Sequence, residues 1–248
     1  GEDGVEAEVV EGKITMTLDI SAVYFCSKLE HERSRILDTI QSKSVIIDAF
    51  CGIGPFSLRA AKEKNCSVYA NDLNPQCFHY LKKNVKRNHL ETKVQCFNED
   101  ARDFLRGILK CWSSGELKGI SDVFMNLPGL AIDFLDVFSI REVLPKSFDP
   151  FNVHVYCFED KAENDIEAHS CIQRRIVEKL GDCSNLLLFT CFHLLKHVSN
   201  SKSMWCVSFK IFPNEDAKKE AHLHSQNLFI KKENADLLNK RENPTTSN

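Results

Sequence analysis

The 248-residue sequence lacks several features that would place a protein in a class at once. It has no apolar run long enough to cross a membrane, and we expect no secretory leader. Its formal net charge is only −3, so a surface that binds nucleic acid through an overall positive charge is not expected. We therefore expect no membrane insertion, and we expect any contact with RNA to be local.

Paired cysteine motifs are also absent, although the chain contains 11 cysteines. Without a Cys-x-x-Cys pair, a zinc site is not expected. The cysteine count is odd, and most of these residues lie in apolar stretches, so we interpret them as reduced core thiols. This pattern is typical of an intracellular protein. The chain starts with Gly1, and we expect an N-terminal region to be missing.

The most informative stretch is VIIDAFCGIGPFSL, residues 45–58. The apolar run before Asp48 predicts a buried strand, and Gly52 and Gly54 predict a tight turn before a helix. Such a turn lets the backbone approach a ligand closely. The third glycine of the full dinucleotide fingerprint is missing, so a ligand-binding turn and a purely structural turn both fit.

A second short strand ends at Asp72, about 20 residues beyond the glycine turn, where α/β nucleotide sites place a ribose carboxylate. Asp72 is therefore expected to accept hydrogen bonds from both ribose hydroxyls. The alternative is that Asp72 or Asn74 merely caps the following helix.

Strands and helices alternate along the core of the chain, which predicts a parallel sheet with helices on both faces. The last two strands are joined by a short loop, 196–202, so they should pair antiparallel. The fold class is therefore α/β: a Rossmann-like, mostly parallel seven-stranded sheet with an antiparallel terminal hairpin, as in class I methyltransferases. The predicted strands are 45–49, 67–71, 93–97, 122–125, 152–158, 186–192 and 204–212, and the helices are 27–40, 55–63, 75–88, 101–110, 130–144 and 164–180. Residues 14–20 should form a half-exposed strand and residues 1–12 a loop.

Polar groups lie at the carboxyl ends of four successive predicted strands: Asp48, Asp72, Asp100-Ala101 and Asn126-Leu127-Pro128. Ligands of open α/β sheets bind at the carboxyl ends of the strands. Asp100 could accept from an adenine amino group while the Ala101 amide donates to a ring nitrogen, although Asp100 could also act only as a helix cap. The segment Asn126-Leu127-Pro128 resembles the Asn/Asp-Pro-Pro-aromatic loop of nitrogen methyltransferases, in which a side-chain amide helps to orient a planar base.

The predicted helix 27–40 has one apolar face, and its other face carries Lys28, Glu32, Arg33 and Arg35. From spacing alone, this second face is expected to be solvated and to hold i,i+4 pairs such as Lys28 with Glu32.

Four segments together resemble the Trm5-type tRNA (guanine-37-N1)-methyltransferases: DAFCGIGPF, ANDLNP, the NED-Ala stretch and MNLPGLAIDFLD. SKLEHERSRI is similar to the family's Arg-Leu-x-x-Glu-(Arg) segment, and the resemblance runs from Val23 to Phe212. It implies methylation of N1 of guanosine 37 in tRNA, with S-adenosyl-L-methionine (AdoMet) as the cofactor. In this family the methylated base maintains the reading frame, and the methylation is the first step toward wybutosine in tRNA-Phe.

The resemblance also implies site residues. Glu32 corresponds to the general base that removes the N1 proton, with Asn126 and Lys28 as further catalytic residues. The implied cofactor-binding residues are His31, Asp48, Gly52, Gly54, Asp72, Leu73, Asp100, Ala101, Asn126 and Pro128. No metal is implied. The implied partner is the anticodon stem-loop of tRNA, and the protein is expected to be a monomer of the mitochondrial matrix, cytoplasm and nucleus.

The sequence departs from the family at three places: Lys28 replaces an arginine, Gly129-Leu130 follows the Asn-Leu-Pro, and residues 196–202 lack the usual arginine and proline. Two alternatives stay open. One is an aminocarboxypropyl transferase of wybutosine synthesis, against which the Asn-Leu-Pro segment and Glu32 speak. The other is a catalytically degenerate tRNA-binding protein, which only Lys28 and the altered 196–202 loop support. The expected domains are 1–42, the end of an N-terminal or linker subdomain with the catalytic helix; 43–212, the AdoMet-binding domain; and 213–248, a mostly disordered tail. The family's N-terminal tRNA-recognition domain and an upstream catalytic arginine are expected to be absent.

Overall fold

The described chain begins with a β-hairpin, of which the sequence predicted only the second strand. The computed structural model describes residues 6–139, 144–145, 147–160, 162, 164–199 and 201–223. In it, β1 (Glu6–Glu11) pairs antiparallel with β2 (Ile14–Asp19). The prediction of a loop over residues 1–12 is therefore wrong from Glu6 onward. The acidic residues made this strand hard to predict from the sequence. In the structure they form ion pairs with a helix far along the chain, Glu6 with Lys83 and Glu8 with Arg87.

The helix predicted over 27–40 is present as a 3₁₀ turn (Ser27–Leu29) followed by α1 (Glu30–Thr39). Its polar face is not solvated as expected, because Glu32 and Arg33 are both buried. The Arg33 guanidinium donates two hydrogen bonds to the buried carboxylate of Glu11 on β1. The hairpin therefore covers a helix face that the sequence pattern presented as exposed.

A seven-stranded sheet follows in the order β5-β4-β3-β6-β7-β9-β8. The pairs β3–β4, β4–β5, β3–β6 and β6–β7 are parallel, while β9 runs antiparallel to both β7 and β8. This arrangement confirms the predicted fold class, including the antiparallel terminal hairpin. The strands are β3 (Val45–Asp48), β4 (Ser67–Asn71), β5 (Val94–Phe97), β6 (Asp122–Met125), β7 (Phe151–Asp160), β8 (Leu187–Ser199) and β9 (Lys202–Ile211).

Helices cover both faces of this sheet and form two apolar cores. On one face, β2, α1, α2 and α3 enclose a core that contains Met16, Leu58 and Leu81. On the other face, α4, α5 and a 3₁₀ helix (Ala131–Phe138) enclose a core that contains Phe104, Phe138 and Ile172. The remaining helices are α2 (Pro55–Lys64), α3 (Pro75–Arg87), α4 (Ala101–Ser113) and α5 (Asp165–Leu180).

Three predicted segments differ from the structure. The helix predicted over 130–144 is a 3₁₀ helix over Ala131–Phe138, with 140–143 outside the described residues. The loop predicted over 196–202 is largely strand, because β8 continues to Ser199 and β9 starts at Lys202. Residues 215–223, in the tail expected to be mostly disordered, are helical, and residues 224–248 lie outside the described residues.

The 11 cysteines all carry free thiols. Within the described part of the chain, no helix is both long and apolar enough to span a membrane.

Candidate active site

The glycine turn after β3 is shaped by two left-handed residues, Gly52 with φ 58° and Gly54 with φ 96°. A Cβ atom at Gly54 would lie 2.1 Å from a methyl carbon of Leu58, so packing of α2 requires glycine there. A Cβ atom at Gly52 would meet nothing within 4 Å. The turn therefore opens toward free space at Gly52, as a backbone that receives a ligand must.

The carboxylate of Asp48 lies behind this turn rather than at its surface. It is 3% exposed and accepts a hydrogen bond of 2.6 Å from the Ser57 hydroxyl. Burial raises the pKa of Asp48 to about 7, against the lowering effect of the Ser57 hydrogen bond. Asp48 thus joins β3 to the first turn of α2, and its predicted contact with the cofactor stays a prediction.

Asp72 connects the end of β4 to the glycine turn. Its Oδ2 accepts a hydrogen bond of 2.8 Å from the Gly52 amide, and its Oδ1 accepts one of 2.9 Å from the Asn74 amide. Asn74 in turn caps α3 by accepting from the Gln76 amide. The capping role is therefore carried by Asn74, while the half-buried carboxylate of Asp72 faces the turn and keeps acceptor positions for ribose hydroxyls.

Two asparagines that the sequence analysis missed hold these loops together. Buried Asn71 donates to the carbonyls of Ala49 (3.3 Å) and Glu99 (3.1 Å) and accepts from the Glu99 amide (3.0 Å). Asn98 donates to the carbonyls of Asp72 and Leu73. The loops after β3, β4 and β5 are thus fixed to one another, whereas each asparagine alone gives no sequence signal for this role.

Asp100 is the N-cap of α4, where its side chain accepts a hydrogen bond of 2.8 Å from the Arg102 amide. Its carboxylate is exposed, and Ala101 behind it is buried. Leu73 is 65% exposed at the neighbouring loop. An exposed carboxylate keeps acceptor positions for an adenine amino group, so the capping and binding roles of Asp100 remain compatible.

Asn126 follows β6 in a loop that the backbone fixes firmly. The carbonyl of Leu127 accepts from Leu130 and Ala131, and the carbonyl of Pro128 accepts from Phe158 on β7. Among the described residues, none is hydrogen-bonded to the half-buried Asn126 side-chain amide. No described residue therefore competes for this amide, which can orient a planar ligand.

The second group of predicted residues lies at a cavity of about 250 Å³. Its lining residues are Lys28, Leu29, His31, Glu32, Arg35, His193, Leu195 and Lys196. Glu32 is 7% exposed, and the Arg35 guanidinium donates two hydrogen bonds of 2.7 and 2.8 Å to its carboxylate. The expected pairing of Glu32 with Lys28 is thus replaced by pairing with Arg35, three residues along the helix.

Two further groups from the sheet complete the surroundings of Glu32. The Tyr156 hydroxyl donates a hydrogen bond of 3.2 Å to Oε1, and the His193 Nε2 lies 3.5 Å from Oε2. Burial raises the pKa of Tyr156 well above its usual value. Sequence reasoning missed Arg35, Tyr156 and His193 as site residues, and only Arg35 had a signal, its i,i+3 spacing from Glu32.

The strand order, the open glycine turn and the carboxylate on the neighbouring strand define the class of protein. The chain has the fold of the class I methyltransferases, and ligands of such open α/β sheets bind at the carboxyl ends of the parallel strands.

The chain belongs to the family described as the TRM5/TYW2 methyltransferase domain, whose model matches residues 7–173. A tRNA (guanine(37)-N(1))-methyltransferase of Paramecium tetraurelia is 39% identical over 218 residues, which covers 85% of this chain and 50% of the relative. The chain therefore spans about half the length of this relative.

Two solved structures are similar in fold. Methanocaldococcus jannaschii Trm5 in complex with adenosine is 26% identical, with a TM-score of 0.62, and the match covers 85% of this chain and 56% of that one. The complex of aTrm5 with tRNALeu is 25% identical, also with a TM-score of 0.62, and the match covers 85% of this chain and 54% of that one.

Proposed function

We propose that this chain transfers a methyl group from AdoMet to N1 of guanosine 37 in tRNA. The observation that carries this proposal is the buried Glu32 carboxylate, which lines a cavity beside Lys28 and Lys196. The names of the curated relative and of the tRNA-bound aTrm5 support the choice of substrate. The tRNA is therefore the proposed partner, recognised at the anticodon stem-loop.

The residues after β3, β4 and β5 suit AdoMet. The backbone at Gly52 leaves space for a ligand, and the carboxylates of Asp72 and Asp100 offer the acceptors that ribose and adenine require. When bound, AdoMet supplies an electrophilic methyl group. The adenosine held by the similar Methanocaldococcus jannaschii Trm5 supports this choice of cofactor.

Glu32 acts as the general base in this proposal. Neutral guanine carries a proton on N1, so this proton must leave before or during attack on the methyl group. Arg35 holds Glu32 in place with two hydrogen bonds, and Lys28 lines the same cavity as a cation near the developing charge on the base. The side-chain amide of Asn126 would orient the flipped-out base.

The test of this function is label transfer to a tRNA transcript that carries G37, with a G37→A transcript as the control. AdoMet is labelled on the methyl group in one arm and on the carboxyl carbon in the other. We expect methyl label on the G37 transcript alone. Carboxyl label would instead assign the chain to aminocarboxypropyl transfer.

Because the chain spans about half of its Paramecium relative, the assay includes a second form, in which the chain follows the N-terminal half of that relative. Transfer by the fused form alone would show that tRNA recognition requires the added half. Absence of methyl transfer by both forms, with AdoMet still bound, would overturn the proposal in favour of a degenerate tRNA-binding protein.

A matched pair of variants tests the base. Glu32→Gln removes the proton acceptor and should lower the single-turnover rate by about 10²–10⁴-fold, while AdoMet affinity stays within about twofold. Glu30→Gln changes an exposed carboxyl of the same helix and should leave the rate unchanged. Equal rates for the two variants would remove Glu32 from its proposed role.

A further inference from the structure

In the proposed function Glu32 accepts the N1 proton of guanine, and this proton must then leave the site. The inference about its route rests on the proposed function. The Glu32 side chain is 6% exposed, so water has little access to it. Its carboxylate oxygens are within 3.5 Å of Arg35, Tyr156 and His193. A proton taken from the base must therefore leave through one of these neighbours or stay on Glu32.

Two of these neighbours are donors and cannot accept a proton near neutral pH. The hydrogen bonds with Glu32 raise the pKa of Arg35 further above its already high value, so this guanidinium stays charged. Burial raises the pKa of Tyr156, so its hydroxyl stays protonated and donates. Cys206 also lies close to Glu32, and burial raises the pKa of this thiol well above its usual value.

His193 differs from these groups in chemistry and in exposure. A neutral imidazole has one nitrogen with a free lone pair, which can accept a proton near neutral pH. The His193 side chain is 42% exposed, and it lines the same cavity as Glu32. One side of the ring thus faces Glu32 while the residue is open to solvent.

We propose that His193 is a proton-relay residue that acts through Glu32. As the methyl group bonds to N1, the N1–H bond breaks and Glu32 Oε2 takes the proton. The new O–H bond then breaks as the proton passes to Nε2 of a neutral His193. The resulting imidazolium releases a proton to water, so one proton leaves for each methyl group transferred and Glu32 is again a carboxylate.

The separation of 3.5 Å between Nε2 and Oε2 is slightly longer than a hydrogen bond of about 2.7–3.2 Å. A small movement of the ring closes this gap, as is usual for catalytic contacts before substrate binds. The titratable and charged groups around the ring come from four elements: Lys28 from the turn before α1; His31, Glu32 and Arg35 from α1; Lys196 from β8; and Cys206 from β9.

Chemical rescue tests the relay. His193→Ala removes the ring and should lower kcat under multiple turnover about 10–100-fold, because Glu32 is restored more slowly, with KM for tRNA and AdoMet unchanged. Added imidazole should restore the rate, and the rescue should grow with the fraction of neutral imidazole. A series of small bases should rescue in the order of their basicity. His193→Gln, which fills the space without accepting a proton, should stay slow and should not be rescued.

His79→Gln serves as the control, because His79 is an exposed histidine on α3. Its rate should match that of the unaltered chain. Rates of the His193 variants within twofold of the unaltered chain, or rescue that is independent of basicity, would overturn the relay while leaving the proposed function intact. Absence of methyl transfer by both the unaltered chain and the fused form in the label-transfer assay would overturn the proposed function itself, and the relay with it.

Discussion

Two buried carboxylates of this protein are stabilised in different ways, although both belong to the predicted site. Glu32 receives two hydrogen bonds from an arginine, which compensates its negative charge. Asp48 receives a hydrogen bond from the uncharged Ser57 hydroxyl, and burial raises its pKa to about 7. Ionisation of buried Asp48 near neutral pH therefore destabilises the folded chain.

The pH dependence of stability should reveal this cost. The pKa of Asp48 in the folded chain, about 7, exceeds the ordinary value of 3.8. A carboxyl group whose pKa is raised by folding contributes its full stabilisation of the folded state when it is protonated, below about pH 4. This stabilisation is lost as the pH rises through 7. The side chain in Asp48→Asn does not titrate. The difference in unfolding free energy, variant minus unaltered chain, should therefore rise by up to about 4 kcal/mol between pH 4 and 8.

Urea unfolding at several pH values measures this difference. Asp38→Asn changes an exposed aspartate on α1 and should show no such trend. A constant difference between Asp48→Asn and the unaltered chain at all pH values would mean that Asp48 is not strained by burial.

At the same scale, the sequence located the predicted residues but not their partners. Four predicted residues lie at the carboxyl ends of strands: Asp48, Asp72, Asp100 and Asn126. They could be predicted because a parallel sheet brings these ends together at one edge. The contact between Tyr156 and Glu32 spans 124 residues, and no local pattern indicates such a pair. Spacing did offer Lys28 as the partner of Glu32, but in the folded chain Arg35 takes that place.

Among the elements, α3 completes the edge of β2 in an unusual way. Asn84 accepts from the Thr17 amide (2.7 Å) and donates to the Thr17 carbonyl (3.1 Å). Asn88 makes the same two bonds with Thr15, at 3.1 and 2.8 Å. One turn apart on the helix, the two side-chain amides pair with β2 as a neighbouring strand would.

Removal of one amide should therefore destabilise the fold. Asn84→Ala leaves the backbone of buried Thr17 and the carbonyl of Ile53 without their partner. The unfolding free energy should fall by about 2–4 kcal/mol, as measured by urea unfolding. Lys86→Ala, on the exposed side of the same helix, should change it by less than about 0.5 kcal/mol. If the two variants lose equal stability, the amide pairing contributes nothing.

Most elements of the sheet domain could be predicted because hydrophobic periodicity and turn residues are local signals. The strand β1 could not, since its sequence Glu-Ala-Glu-Val-Val-Glu is half acidic. Its register is decided by β2 and by the cations of α3, which lie more than 70 residues away.

For the whole molecule, Glu11 joins the hairpin to the sheet domain. This residue is 2% exposed and contacts two arginines, Arg33 on α1 and Arg59 on α2. Arg59 also binds Glu63 and Ser34, so hairpin, α1 and α2 share one buried ionic network. Because α1 also carries Glu32, the network positions the proposed base against the rest of the fold.

Loss of charge at Glu11 should affect both stability and turnover. Glu11→Gln leaves two buried arginines without a full counter-charge, so the unfolding free energy should fall by about 3–5 kcal/mol. The methyl-transfer rate should fall as well, because α1 loses its anchor. Glu8→Gln on the same strand breaks an exposed pair, in which the Glu8 side chain is 60% exposed, and should cost less than about 1 kcal/mol. Similar losses for both would contradict a special role for the buried network.

The sequence by itself determined the order of strands and helices, the glycine turn and the polar groups at four strand ends, because these depend on short-range patterns of hydrophobicity and backbone freedom. The tertiary structure alone decided which charges are buried, which donors hold Glu32, and that His193 faces it. Those features depend on side chains that are far apart in the chain and meet only when the hairpin, α1 and the terminal strands pack together.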